Sequence, residues 1–317
     1  MATPGEGALT TVAASPLPAS AGRRWSVGRT ICAFGALVLI WGLAFVVFKV
    51  SLREVPALDF TALRAAVGGL GLAAFLIAAG RPFPSDRASN VTALLLGACN
   101  VVAFWGFQSL SLQRISPGEA AILVYLQPLF VALGAWFFLG EAFSSTKVVG
   151  LFLGFGGVVV IVGGQGIASG GQQWLGYLLG VGAGLGWACG TVAFKWRGVR
   201  GDVLWISALQ CLYGAIPLVL LAALTEGWRV PFDFTTVWTI LYAGLGASAL
   251  SYILWFSLLR QRAASQVSAF VFLVPLVAVL SDAAILGSSF GPLVLLGGAA
   301  IVAGIWLVNV TPARQSL

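Results

Sequence analysis

The chain carries one pattern twice, offset by 146 to 147 residues, and each copy is long enough to cross a bilayer five times. Trp41 to Lys49 reads WGLAFVVFK and Trp187 to Lys195 reads WACGTVAFK, so a leading tryptophan and a closing Phe-Lys recur at one spacing. Ala62-Leu63-Arg64 returns as Ala208-Leu209-Gln210. Leu126-Gln127-Pro128, with Leu139-Gly140 eleven residues past the proline, is answered by Leu273-Val274-Pro275 with Leu286-Gly287 at the same interval. Gly150 and Gly157 match Gly297 and Gly304. An ordered series held through both halves is an internal duplication: one domain made of two copies.

Composition settles the solvent. Hydrophobic residues make up 59% of the chain and charged ones 9%, whereas a soluble domain carries about 25% charged residues. Apolar stretches of about 20 residues, the length that spans hydrocarbon as a helix, fall at 31–50, 59–80, 91–112, 118–139, 146–164, 174–196, 202–224, 235–258, 265–287 and 291–310. A membrane barrel needs alternating segments of about ten residues, and continuous runs such as Gly150 to Gly163 do not alternate. The expectation is an all-α membrane protein of ten transmembrane helices. Residues 1–24, rich in Ala, Pro, Ser, Thr and Gly, read as a disordered cytoplasmic tail, 25–164 as the first five-helix repeat and 174–310 as the second. The apolar run behind the tail is too long for a cleaved signal and lacks a small-residue cleavage site.

Five is odd, so the second copy starts on the opposite face from the first and the repeats are inverted. Charge tests this independently, because cytoplasmic loops collect Lys and Arg. With the N-terminus inside, that side holds Arg23, Arg24, Arg29, Arg81, Arg87, Lys147, Lys195, Arg197, Arg200, Arg260, Arg262 and Arg314, against Lys49, Arg53, Arg114 and Arg229 outside. Both termini are expected in the cytoplasm. The same asymmetry accounts for the net charge of +7 without a nucleic-acid partner, which would need clustered cations and aromatics on a soluble face.

Little reactive chemistry is present. There is no histidine, so the commonest metal ligand and general base is missing. Cys32, Cys99, Cys189 and Cys211 stand singly in apolar segments without metal or redox spacing. Stretches such as Gly154-Phe155-Gly156-Gly157 lack the Lys-Ser/Thr of a phosphate loop and suit close helix packing. No enzyme activity, cofactor or metal is expected. Inverted repeats instead suit a carrier, which places its solute near the midplane between two rocking halves.

Trp41-Gly42, Phe45 and Lys49 in the first helix, Leu63-Arg64 in the second, and Pro128 with Leu139-Gly140-Glu141 in the fourth, together with their weaker second copies, resemble the EamA family of the drug/metabolite transporter superfamily. The resemblance runs over roughly residues 30 to 310. It implies a ten-helix carrier of the cell inner membrane, with a central cavity for amino acids or other small metabolites, often acting as an exporter. A drug, nucleoside or vitamin carrier of the same superfamily and a non-transporting scaffold are the alternatives. Two departures stand out: Gln210 replaces Arg64 in the second copy, and Ser288 replaces Glu141.

Polar groups in hydrocarbon are costly, which makes each a functional candidate. Arg64 on the second helix and Asp282 on the ninth reach similar depth, and two readings stand: a structural ion pair, or a pair that meets a solute's carboxylate and ammonium. Asn100, Gln108, Tyr125, Gln127, Gln210 and Tyr252 are further candidates for a small polar cavity, with Trp41, Trp105, Trp187 and Trp255 as walls. Interhelical hydrogen bonding is the competing role for each amide. Lys49 and Lys195, at mirrored helix ends, are candidate gates, and snorkelling to the headgroups is the alternative. Pro128 and Pro275 fall mid-span and remove a backbone hydrogen bond, which points to hinges beside the cavity. A proton carried by Asp282, Asp59 or Glu119 is compatible with the sequence, as is uniport. Monomer and homodimer, the latter through the Gly-rich fifth and tenth helices, both remain open.

Overall fold

A computed structural model describes residues 25–115, 117–163, 173–198, 201–287 and 292–310, leaving aside the side chains of 117–119, 162–163, 282 and 286. The expected tail at 1–24, Arg200, Ser288 and Arg314 lie outside the described residues. Ten helices follow in order: α1 (Val27–Ser51), α2 (Ala57–Ala78), α3 (Arg87–Leu112), α4 (Pro117–Val124 and Gln127–Leu139), α5 (Ser145–Gly163), α6 (Gln173–Trp196), α7 (Val203–Thr225), α8 (Phe234–Gln261), α9 (Ala264–Ala269 and Leu273–Leu286) and α10 (Leu293–Val310). Each bound lies within four residues of the span read from hydropathy. Among the described residues there is no strand, nine helices are long and apolar enough to cross a membrane, and α5 is a further apolar helix.

The duplication is visible in the packing. α2 lies along α7 and α5 along α10, each pair joining repeat equivalents, while α1 on α9 is exchanged by the repeat for α6 on α4. Lipid tails are as apolar as leucine, so these contacts depend on backbones that approach closely through small residues. The same holds where α2 meets α8, a Cβ on Gly68 lying 2.6 Å from the Gly244 carbonyl oxygen, and where α7 meets α3, a Cβ on Gly214 lying 3.0 Å from that of Gly97.

Helix ends are specified locally. Asp86 and its equivalent Asp233 cap α3 and α8, accepting from the Ser89 and Thr236 amides at 2.7 Å in both copies. The Ser89 amide and hydroxyl hold the exposed Asp86 carboxyl below the ordinary carboxylate range. The first segment of each broken span ends differently from the second, which closes on a left-handed glycine, Gly140 at φ 65° and Gly287 at φ 71°.

Four of the helices are irregular. α3 widens into π-helical turns over Gly97–Gly106 and α8 over Tyr242–Leu250, at equivalent places in the two copies. α4 breaks at Tyr125-Leu126, and α9 passes through a 3-10 turn at Phe270–Phe272. Pro128 and Pro275, expected inside continuous helices, therefore sit in the first turn of the segments that follow these breaks. In a first turn the backbone N–H has no helical partner to lose, so proline is tolerated there without a kink of its own.

Candidate functional site

Repeat equivalents meet at the centre. Trp41 on α1 and Trp187 on α6 approach edge to face with ring centroids 5.4 Å apart, and Trp105 on α3 stacks on its equivalent Tyr252 on α8 at 5.5 Å and 7°. Trp255 packs against both Trp41 and Trp187. The π-helical turns supply acceptors to two of these rings. The Asn100 carbonyl takes the Tyr252 hydroxyl at 3.1 Å, and the equivalent Ala247 carbonyl takes Trp41 Nε1 at 3.3 Å. Wide turns free carbonyls from the i to i−4 ladder, which is one reason such turns occur at functional sites.

Above this aromatic floor lies a cavity of about 880 Å³. Its walls run outward to Lys49 and Arg53 at the end of α1, Leu112 at the end of α3 and Leu293 at the start of α10, so it opens at that end of the bundle. Of the residues expected to form the site, Arg64, Gln108, Tyr125, Gln127, Tyr252, Trp41 and Trp187 line it, as do Lys49 and Pro275. Breaking α4 at Tyr125 puts Tyr125 and Gln127 on the wall. Three buried polar atoms on lining residues have no partner among the described residues: Arg64 Nε, Gln127 Oε1 and Trp187 Nε1. Thr61 and Ser109, which the sequence reading passed over, also line the wall and share a 2.6 Å hydrogen bond.

Asn100 and Gln210 do not line the cavity, and the expectation that they do is corrected. Asn100 Nδ2 donates to Gln210 Oε1 at 3.1 Å, both side chains being fully buried between α3 and α7. Pairing inside the protein gives each buried amide one partner without a solute, while Asn100 Oδ1 and Gln210 Nε2 have none among the described residues. Replacing Asn100 with leucine is expected to cost about 1–3 kcal/mol by stranding the Gln210 amide. The Asn100→Leu/Gln210→Leu double variant should recover part of that loss in a thermal double-mutant cycle; strict additivity would sink the pairing. Pro128 and Lys195 also lie off the cavity. Lys195 is at the opposite end, where Nζ donates to the Arg262 carbonyl at 2.5 Å. The side chains of Asp282 and Glu119 lie outside the described residues. Asp59, the remaining proton candidate, is fully buried and accepts from the Arg229 amide at 3.0 Å.

The end opposite the opening is closed by α4 against α9. Glu141, just past the Gly140 turn, accepts from the Ala264 amide at 2.6 Å and bonds the Ser265 hydroxyl at the start of α9, with Lys147 Nζ 3.7 Å away. At the open end, Glu226 caps α2, accepting from the Leu58 and Asp59 amides at 2.8 and 2.9 Å. Carboxylates placed at helix N-termini meet unpaired amides and the positive end of the dipole. Neither partner could be read from local spacing, because each joins residues more than a hundred positions apart.

A model described as "EamA-like transporter family" matches residues 28–163 and 174–310. An "Uncharacterized transporter YvbV" of Bacillus subtilis is 32% identical over 294 residues, covering 90% of this chain and 93% of its own. A "Probable amino-acid metabolite efflux pump" of Salmonella typhimurium is 30% identical, covering 86% and 91% respectively. A solved crystal structure, 21% identical, covers 90% of this chain and 98% of its own with a TM-score of 0.80, and shows the same fold.

Proposed function

Because the chain belongs to the EamA-like transporter family, it is a multi-pass membrane transporter, and we propose that it exports an amino acid or related small metabolite by alternating access. The observation that carries this reading is the cavity itself: about 880 Å³, reaching the centre of the bundle from one end and closed at the other by the Glu141 contacts. Its volume suits a small metabolite, and its walls mix aromatic rings with Arg64, Gln108 and Gln127. The amino-acid assignment draws on the efflux pump named among the relatives.

In this reading the protein lies in a cell inner membrane with both termini cytoplasmic, as the distribution of Lys and Arg supports. The cavity then faces outward and the Glu141 contacts close the cytoplasmic end. The breaks ahead of Pro128 and Pro275 serve as the hinges of α4 and α9, matching places in the two halves where a carrier bends around its site. Lys195 contributes to cytoplasmic closure through its bond to Arg262, and Lys49 stands at the outer mouth.

Purified protein in sealed proteoliposomes is expected to move at least one radiolabelled amino acid faster than empty vesicles, and counterflow is expected when unlabelled solute is trapped on the other side. Flux of nucleosides or vitamins with no movement of any amino acid would overturn the substrate class. Absence of all solute flux would overturn the carrier reading.

A further inference from the structure

Arg64 is buried to 5% exposure, yet among the described residues it has no ion pair and its Nε has no hydrogen-bond partner. What holds it is aromatic. Its guanidinium carbon lies 3.8 Å from the centre of the Trp105 ring and 4.9 Å from that of Phe48. Rings stabilise the flat face of the cation but offer nothing to its in-plane N–H donors, which form a rigid fork suited to a carboxylate.

The duplication explains how this vacancy arose. At the equivalent position Gln210 finds its partner in Asn100, one helix away. The residue that matches Asn100 in the other copy is Ala247, whose methyl offers Arg64 no acceptor. One copy thus bonds its two amides to each other, and the other presents a cation to the cavity. The mouth adds Lys49 and Arg53. The remaining wall beside Arg64 is mainly ring surface, including Phe48 and Trp105.

Taking the carrier reading as given, we propose that Arg64 is the carboxylate-binding residue and that the solute is a small carboxylate with an aromatic or bulky apolar body. The carboxylate lies in the guanidinium plane, accepting two N–H bonds, while its body packs against the rings of the floor.

Three probes of one shape test this: 3-phenylpropionate, phenylalanine and phenethylamine, which carry the acid, both groups and the amine. Binding to the detergent-purified protein is measured by titration calorimetry, and flux in proteoliposomes. The two acids are expected to bind and the amine to be at least tenfold weaker. Arg64→Gln should weaken both acids about 10- to 100-fold, as for loss of a charge-assisted bidentate pair, and Arg64→Lys should restore part of the affinity through charge without the fork. The comparison of probes on wild type needs no variant, so it stands if Arg64→Gln fails to fold. Equal or tighter binding of the amine, or acid affinity unchanged in Arg64→Gln, overturns the proposal. If amine or neutral solutes are carried and acids are not, the carrier reading survives and this inference falls. Acids that bind through Arg64 while no solute of any class is carried would leave the subsite standing and remove the carrier reading.

Discussion

Glu141→Ala is expected to destabilise the protein by about 3–5 kcal/mol, the typical cost of removing one member of a buried charge pair. The carboxylate meets the Ala264 and Ser265 amides at 2.6 and 3.4 Å, the Ser265 hydroxyl, and Lys147, whose Nζ also donates to Ser265 at 3.0 Å. Alanine would leave the first amides of α9 without their cap and Lys147, a residue only 4% exposed, without its counter-charge. These contacts join α4 of one repeat to α9 of the other, so the loss falls on the closure between the halves. Scanning calorimetry of the purified protein should show a clear fall in Tm. Glu141→Gln keeps an acceptor for the cap but not the charge, and is expected between wild type and alanine. A change of under about 0.5 kcal/mol for alanine, the size of an ordinary surface substitution, would mean that the cluster is a solvated surface contact and no latch.

Gly304→Ala should cost about 1–3 kcal/mol through overpacking, although it adds a single methyl to a helix and would be favourable on propensity alone by up to about 1 kcal/mol. A Cβ there would lie 2.5 Å from the Gly150 carbonyl oxygen and 2.6 Å from the Gly154 amide nitrogen. Both are backbone atoms that no rotamer change can move, so α5 and α10 must separate. The contact is reciprocal along the pair: a Cβ on Gly157 would meet the Gly297 carbonyl at 2.5 Å. Gly156, with nothing within 4 Å, provides the control. Gly156→Ala should leave Tm unchanged or raise it slightly. Equal behaviour of the two variants would show that α5 and α10 are not packed through glycine. It would also free these helices for a contact between two copies of the chain.

These two predictions differ in how visible their origin was. Gly150, Gly157, Gly297 and Gly304 stood out in the sequence by spacing and repeat, and helix packing was the reading given to them. The structure packs α5 and α10 against each other within one chain. Glu141 was noted as a helix-ending residue lost from the second copy, but its partners at Ala264 and Ser265 lie over 120 positions away and carry no local signal. Arg64, Gln127 and Tyr252 could be nominated because polar groups are rare in apolar spans. Asn100 and Gln210 were nominated for the same reason and turned out to bond to each other. Cost in hydrocarbon identifies residues that need partners; it does not say which partner each has found.

Hydropathy, the odd number of spans per copy and the distribution of Lys and Arg determined ten helices in two inverted repeats, because the bilayer forces every span to close its own backbone hydrogen bonds within a fixed length. The repeat offset also made equivalent positions legible, including Trp105 with Tyr252. Only the tertiary structure decided that those equivalents stack face to face, and that α3 and α8 widen where the centre needs carbonyls. It also decided that the helix breaks fall before rather than at the prolines. Its last choice, among the described residues, was to leave Arg64 without a pair and give Gln210 one. Such choices depend on which side chains meet across helices, and a bundle held by close packing and interhelical hydrogen bonds fixes them through distances between residues far apart in the chain.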